Sequence, residues 1–141
     1  VYKRQKFPFD AILLALNAAD PYNLSFKEKL LPLAVEREMG IIGMKIPARG
    51  LILSSWTAPE NPESRYANTV PGTIDMQEAM RYVLSLPVST VIVGCDDIAQ
   101  LEENVKIARA FNPMNEAQLA ELEQRAEPVH RQSLFFRRWD S

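Results

Sequence analysis

Residues 89–111 read STVIVGCDDIAQLEENVKIARAF, and this stretch decides the fold. It opens with β-branched residues at positions 90–93, which predict a buried strand because such side chains suit a packed, pleated surface. Gly94 ends that strand, and Asp96 or Asp97 can cap the helix that follows. The helix places its apolar residues on one face at a period of 3.6, namely Ile98, Leu101, Val105 and Ala108.

The turn between this strand and this helix has two interpretations. A strand, a glycine turn and a capped helix leave backbone N–H groups and the positive end of a helix dipole at one point, where a phosphate or another anion can bind. Alternatively, Gly94 only turns the chain and the two aspartates only cap the helix. Two carboxylates would repel a phosphate unless they pointed away from it, so the stretch by itself leaves both interpretations open.

The N-terminal part of the chain predicts a strand followed by a helix. The continuous apolar run at residues 11–16 is typical of a strand that is covered on both faces, as in parallel sheets. Ser25 and Glu28 have the spacing of a capping box, which predicts a helix from there to about residue 38. Pro32 either kinks that helix or marks its real first turn.

The rest of the chain continues the alternation of strands and helices. After a second short strand at residues 41–44, the prolines and aromatics of residues 45–72 predict a long irregular loop. Loops of that length are usually functional or mobile. Capping boxes then begin two further helices, one at Asp75 with Glu78 and one at Asn115 with Gln118.

The order of these elements indicates an α/β fold. Strands that alternate with helices predict right-handed crossovers and a parallel sheet. Three strands are evident, whereas a complete eight-stranded barrel needs about 250 residues and this chain has 141. The residues alone therefore leave two architectures, a small three-layer domain or a piece of a larger (β/α) barrel.

Composition excludes several classes of function. The 16 basic and 18 acidic residues give a net charge of −2, without the basic surplus that marks nucleic-acid-binding proteins. Cys95 is the single cysteine, which excludes an internal disulfide and fits a reducing compartment such as the cytoplasm. One cysteine and one histidine, His130, make no metal-ligand cluster, and no apolar run approaches the roughly 20 residues of a membrane span. Arg137 and Arg138 form a basic pair too short for a binding patch, which predicts a packed or interfacial tail.

The most specific motif is VGCDDIAQLEEN, at residues 93–104. Together with FDAILLALNAADP at residues 9–21 and GIIGMKIPARG at residues 40–50, it resembles the C-terminal part of an aldo/keto reductase. The segments match the sixth, seventh and eighth strands of that family's barrel. The resemblance implies parallel (β/α) units that form part of a TIM barrel, with residues 1–141 as one domain and residues 128–141 as its C-terminal tail. It also implies that the chain is a fragment of a longer protein.

The resemblance further implies a dinucleotide site, and it leaves NAD and NADP open as the cofactor. The implied contacts, from the nicotinamide to the adenine, are Asn17, Met44, Lys45, Pro47, Arg49, Gly50, Gly94, Cys95, Asp96, Gln100, Glu103 and Asn104. Asn17 matches the residue that borders the nicotinamide amide, and Met44 one that packs on the nicotinamide face. Residues 45–50 match the loop at the pyrophosphate, where lysine and arginine suit charge-assisted hydrogen bonds. Residues 94–96 match the adenosine end, and residues 100–104 match the helix near the adenine and the 2′-phosphate.

The implied reaction is the reduction of aldehydes or ketones by hydride transfer from NAD(P)H, with a small carbonyl compound as the substrate of the whole protein. The family takes its catalytic Asp, Tyr, Lys and His from the first half of the barrel, which is not in this sequence. We therefore predict no catalytic residue in this chain. Lys45 lies on the wrong strand, and His130 lies in the tail rather than at a strand end. Tyr22, Tyr66 and Tyr82 have no base or lysine at useful spacing, which predicts core or loop roles.

Two alternatives compete with the reductase interpretation. The chain could be a non-catalytic, reductase-like binding or assembly module, because a half barrel exposes two strand edges and an apolar interior face and is expected to self-associate. It could also be an unrelated small α/β domain. Aromatic residues of the loop and the tail either line a substrate pocket or pack as ordinary loop residues; they are Trp56, Tyr66, Phe135, Phe136 and Trp139.

Overall fold

The computed structural model of the protein describes residues 9–137, which form an α/β fold. The strands are β1 (Ala11–Ala15), β2 (Gly40–Met44) and β3 (Thr90–Val91). The helices are α1 (Phe26–Lys29), α2 (Leu31–Glu36), α3 (Met76–Leu84), α4 (Ile98–Arg109), α5 (Glu116–Ala126) and α6 (His130–Ser133). Short 3₁₀ turns lie at Asp20–Tyr22, Ala48–Gly50 and Glu127–Val129.

The three strands of the described chain form one parallel sheet in the order β1-β2-β3. Ile12 pairs with Ile41, and Ile42 pairs with Thr90, so each new strand is added beside the previous one. This is the arrangement of consecutive strands in a (β/α) barrel, and it confirms the predicted parallel sheet and partial barrel.

Helix α3 packs closely on the middle strand because that strand carries a glycine at the contact. A Cβ atom added at Gly43 would lie 3.0 Å from Cγ1 of Val83, a residue of α3 that is fully buried. Gly43 pairs with Leu14 of β1, and both face the helices. A larger residue here would push α3 away from the sheet, so sheet and helix would lose part of their shared core.

The predicted helix caps are largely confirmed. Asp75 and Glu78 form a reciprocal capping box at the start of α3, and Asn115 and Gln118 form another at the start of α5. The helix predicted to reach residue 38 is instead two short helices, α1 and α2. Pro32 stands in the first turn of α2, where its missing N–H costs nothing, so the second of its two predicted roles is correct.

Two predictions from the stretch at residues 89–111 are wrong. Only Thr90–Val91 is strand, and Ile92 is 56% exposed rather than buried. The helical face predicted to point inward is exposed along its length, with Ile98 at 74% and Leu101 at 52%, while the buried residue of α4 is Ile107. The reason is that β3 pairs with β2 alone, and no other described element covers its free edge. The spacing of apolar residues shows which face of a helix is suited to burial, but it does not show which other element covers that face.

The first part of the segment at residues 45–72, predicted as an irregular loop, packs into the core, whereas residues 54–72 are half-buried or exposed. Leu51 and Ile52 are fully buried, and Leu53 forms a parallel bridge with Ile74 that closes the loop onto the start of α3. Gln132 of α6 then ties the C-terminal region to this segment, because its amide donates to the carbonyl of Leu51 at 2.7 Å. The beginning of the loop is therefore part of the core, and its remainder lies at the surface.

The tail packs on the fold as far as the described residues extend. Leu134 is fully buried, and Arg137 is buried as well, which confirms the predicted packing of this basic tail residue. Arg138 and Trp139 lie outside the described residues. Over residues 9–137, no helix has the length and apolar character needed to cross a membrane.

Candidate functional site

A cleft of about 1050 Å³ opens where β2 and β3 end. The carboxyl ends of parallel strands are the usual position of ligand sites in barrels and open α/β sheets. One wall of the cleft is the loop that leaves β2, and the opposite wall is the turn from β3 into α4. The residues predicted from the sequence that line it are Met44, Lys45, Pro47, Arg49, Gly50, Gly94, Asp96, Gln100, Glu103 and Asn104.

Asn17 is not part of the cleft wall. Its side chain is almost fully buried, and its amide nitrogen donates to the carbonyls of Lys45 at 3.3 Å and Ser133 at 3.4 Å. Its amide oxygen accepts from the N–H of Ala19 at 3.0 Å. Asn17 therefore braces the exits of β1 and β2 against α6, and these contacts engage both ends of its amide with protein atoms.

The loop that leaves β2 carries Lys45 and Arg49 and is called here the basic wall of the cleft. It is a tight loop with unusual backbone geometry. Lys45, Ala48 and Arg49 have φ values of 61°, 50° and 60°, in the left-handed region that non-glycine residues rarely adopt. Gly50 follows at 89°, and a Cβ atom there would lie 3.0 Å from the Trp56 ring. Such strain persists only where the surroundings hold it, and it concentrates at functional sites. Here it accompanies two cations, Lys45 and Arg49, on one wall of the cleft.

An aromatic cluster lies against this basic wall. The ammonium group of Lys45 and the guanidinium of Arg49 lie 5.8 Å and 5.3 Å from the ring centre of Phe135. Arg49 also donates to the hydroxyl of Tyr66 at 2.9 Å. Tyr66 meets Phe135 and Trp56 edge to face, at ring-centre distances of 6.2 Å and 6.1 Å. The loop and tail aromatics within the described residues thus pack together, and among them Trp56 also lines the cleft.

The turn from β3 into α4 is fixed by its own side chains. Asp97 is the residue that caps α4, accepting from the N–H of Gln100 at 2.8 Å. The side chain of Gln100 accepts from the N–H of Asp96 at 3.0 Å, and Asn104 donates to the sulfur of Cys95 at 3.2 Å. Cys95 is exposed but does not line the cleft, unlike its neighbours.

Gly94 leaves open space at the mouth of this turn. A Cβ atom added there would have no atom of the described residues within 4 Å, beyond its chain neighbours. Close packing therefore does not explain this glycine, whereas a ligand approaching the backbone would use that space. Asp97 caps the helix and Asp96 lines the cleft, so the two aspartates have separate roles.

Charge is divided between the two walls of the cleft. Lys45 and Arg49 stand on the wall next to β2, whereas Asp96 and Glu103 stand on the wall formed by α4 and its preceding turn. The first wall suits a diphosphate, because ammonium and guanidinium groups form charge-assisted hydrogen bonds to phosphate oxygens. The second suits hydroxyl and amino groups, because carboxylates accept hydrogen bonds from them.

Several further residues that line the cleft were not predicted as site residues. They are Leu53, Ser54, Ser55, Thr57, Asp75, Met76 and Ile92, whereas Trp56 is one of the aromatics for which a pocket was one of two predicted roles. The bridge between Leu53 and Ile74 brings this part of the loop to the cleft. The two serines beside a tryptophan were the one feature that could have drawn attention to the segment.

One tyrosine does meet a lysine and a carboxylate, far from the cleft. The hydroxyl of Tyr82 donates to Glu123 at 2.6 Å, and Glu123 forms an ion pair with Lys27. Burial, together with the Glu123 carboxylate, raises the pKa of Tyr82 far above its usual range. A tyrosine that holds its proton this firmly does not serve as an acid, so the group ties α1, α3 and α5 together. His130 lies in α6 with its Nδ1 2.6 Å from the carbonyl of Glu127.

Comparison with known proteins identifies the fold. No protein-family model matches the chain, and no curated protein matches it. Among solved structures, the chain is similar to aldo-keto reductase AKR11C1 from Bacillus halodurans, in its holo and its apo form, with a TM-score of 0.62 and 24% identity for each. The match covers 88% of this chain and 44% of the holo chain or 45% of the apo chain. The chain thus spans less than half the length of that reductase. The likeness confirms the fold expected from the sequence, that of the C-terminal half of an aldo/keto reductase barrel.

Proposed function

We propose that this chain is the cofactor-binding, C-terminal portion of an NAD(P)H-dependent aldo/keto reductase that reduces aldehydes or ketones. The observation that supports this most strongly is the shared cleft. Lys45 and Arg49 from one strand exit face Gly94 and the start of α4 from the next, in a fold similar to that of a reductase. Whole-protein activity and substrate belong to this proposal, because the chain matches less than half of its solved relative.

The residues present fit a dinucleotide in three ways. Lys45 and Arg49 would neutralise the diphosphate, and the open space at Gly94 would allow the adenosine end to approach the backbone. Gln100 and Glu103 lie on the first turns of α4, where they can hydrogen-bond the ribose and the adenine. When bound, the cofactor supplies the hydride. The residues of this chain would bind the cofactor and orient it in the cleft.

Proton transfer to the carbonyl is assigned to residues outside this chain. Tyr82 is the described tyrosine that meets both a lysine and a carboxylate, and it is buried among helices with its proton retained. Lys45 is held at the diphosphate end of the cleft. The chain alone should therefore bind the dinucleotide without turning a substrate over.

A titration with both forms of the cofactor tests the proposal. NADPH and NADH are added to the 141-residue chain and to any longer natural protein that contains it, while the fluorescence of the nicotinamide is followed. We expect binding by both, tighter in the longer protein. Absence of binding in both would refute the proposal.

A second candidate function is an assembly module, and exposed apolar surface favours it. Leu13, on the face of the sheet opposite the buried Leu14, is 52% exposed, and Ile92 and Ile98 are exposed near the free edge of β3. Apolar residues gathered in this way mark surfaces that another polypeptide covers. A chain that self-associates through them without binding NADH or NADPH would support this candidate against the reductase.

A further inference from the structure

We propose that Phe135 is a positioning residue for the diphosphate end of the cleft, because its ring holds Lys45 and Arg49 side by side as an anion-binding pair. The inference rests on the proposed function for the identity of its natural ligand. It concerns the C-terminal segment, residues 134–137, which does not itself line the cleft. The segment would act by fixing the two cations that do.

The ring offsets the repulsion between two neighbouring positive charges. The face of an aromatic ring carries partial negative charge, and it attracts cations within about 6 Å of its centre. Both Lys45 and Arg49 lie within that distance of Phe135. Without the ring, Lys45 would lose this contact, and Arg49 would depend on its hydrogen bond to Tyr66.

Both cations keep donors free for a ligand in this arrangement. Arg49 has five N–H donors, and one of them donates to the hydroxyl of Tyr66. The ammonium group of Lys45 has three donors and contacts the ring through its charge rather than through a directed hydrogen bond. The pair is therefore held in place and still able to bind an anion.

The ring itself is held from two sides. Tyr66 meets Phe135 at an interplanar angle of 86°, and Phe136 meets it at 83° with ring centres 5.3 Å apart. Edge-to-face contacts of this kind are the preferred geometry of aromatic pairs. Phe135 therefore has little freedom to leave the two cations.

The C-terminal segment is anchored two residues beyond the ring. Arg137 forms a buried ion pair with Asp20, donates to the carbonyl of Asp20 at 3.1 Å, and stacks 4.4 Å from the ring centre of Phe26. Asp20 also accepts from the hydroxyl of Ser25 at 2.5 Å, so its position is fixed independently of Arg137. The exit of β1 thus fixes the segment that positions the cations at the exit of β2.

Two substitutions separate the ring's electrostatic role from its bulk. Phe135→Leu keeps an apolar side chain but removes the aromatic face, whereas Phe135→Tyr keeps the face. Leu119→Ala on α5 removes partly buried apolar contacts elsewhere and serves as the control for a general loss of packing. Each variant is titrated with inorganic pyrophosphate and with NADPH at low salt by calorimetry, after thermal melting has shown that it folds.

We expect Phe135→Leu to raise the Kd for pyrophosphate about three- to tenfold, and Phe135→Tyr and Leu119→Ala to stay within about twofold of the unmodified chain. In the unmodified chain, the side-chain methylene protons of Lys45 and Arg49 next to their charged groups should show upfield ring-current shifts in NMR spectra. Those shifts should vanish in Phe135→Leu and remain in Phe135→Tyr.

Unshifted Lys45 and Arg49 signals in the unmodified chain would overturn the inference, even if Phe135→Leu failed to fold. So would an unchanged affinity for pyrophosphate in a folded Phe135→Leu variant. Pyrophosphate binding that depends on Phe135, where neither the chain nor a longer natural protein that contains it binds NADPH or NADH, would support the cation pair and refute the proposed function. Failure of the inference about Phe135 and failure of the proposed function are therefore distinguishable.

Discussion

Arg137 and Asp20 form a buried ion pair across 117 positions of the sequence. Their side chains are 3% and 1% exposed, and the carboxylate also accepts from the N–H of Lys27 at 3.0 Å. The pair joins the C-terminal segment to the turn after β1. Removing one partner would leave a buried charge without compensation, which is among the costliest changes a protein can undergo.

Arg137→Ala is therefore expected to destabilise the fold by about 3–5 kcal/mol. The free energy of unfolding from urea denaturation measures the loss. Arg109→Ala, which removes an exposed arginine at the end of α4, is the matched control and should change stability by less than about 0.5 kcal/mol. Equal effects of the two substitutions would show that the buried pair contributes nothing specific.

Protonation of the Glu78 carboxyl should lower the stability of the fold at acid pH. Burial alone would raise the pKa of its carboxyl, but hydrogen bonds from the Arg125 guanidinium and the N–H of Asp75 outweigh burial and lower the pKa. A lowered pKa in the folded state stabilises the protein above the unfolded value of 4.5, and this stability is lost as pH falls through the folded pKa.

Glu78→Gln keeps a side chain that can complete the capping box but cannot titrate. We expect its urea midpoint to drop less than that of the unmodified chain between pH 6 and pH 3. Glu116→Gln, at an exposed position in the first turn of α5, controls for removal of a carboxylate. An identical acid loss in Glu78→Gln and the unmodified chain would count against the role of the Arg125 contact.

The acidic wall of the cleft should disfavour a 2′-phosphate. Asp96 and Glu103 line the wall near the start of α4, and the basic residues of the cleft stand on the other wall. Like charges in proximity repel, whereas a carboxylate can accept from a 2′-hydroxyl. We expect NADH to bind more tightly than NADPH, and Glu103→Lys to shift the ratio of the two Kd values toward NADPH by about tenfold. Lys106→Glu, on the outer side of α4, should leave the ratio unchanged.

A charged residue on the exposed face of α4 should weaken self-association of the chain. Ile98, Leu101 and Val105 form an apolar strip on a helix that the described chain leaves uncovered on that side. Light scattering of the chain alone should show dimers or larger species, and Ile98→Glu should shift them toward monomer. Ala120→Glu, at an exposed position of α5, should not. A stable monomer with a cooperative melt before any substitution would contradict this expectation.

Local features of the fold were predictable from sequence, and long-range contacts were not. Capping boxes depend on residues three positions apart, so Asp75 with Glu78 was readable directly. The order of strands followed from their alternation with helices, and it brought Lys45 and Gly94 to one cleft. By contrast, the predicted position of Asn17 beside the nicotinamide rests on the resemblance alone, and its contacts within the protein have no signal in the sequence. Its hydrogen bond to Ser133, 116 residues away, keeps its amide inside the protein.

Other long-range features have the same cause. The sequence shows the amphipathic period of α4, but the buried side depends on which neighbours exist, and Ile107 rather than Ile98 faces them. Tyr82 has the core role predicted for it, and its contacts with Lys27 and Glu123 arise only on folding. The contact of Phe135 with two cations likewise joins the tail to a loop about 90 residues earlier, a distance at which sequence pattern carries no signal.

The most direct test of the central claim is the affinity for NADH of the chain with Lys45→Ala and Arg49→Ala combined, measured by calorimetry beside Lys106→Ala. The account predicts that the unmodified chain binds NADH, that the double variant binds it at least about tenfold more weakly, and that Lys106→Ala binds it as the unmodified chain does. Equal affinity in the double variant and the control would contradict the role of the two cations. Absence of NADH binding in both the unmodified chain and any longer natural protein that contains it would contradict the proposed function.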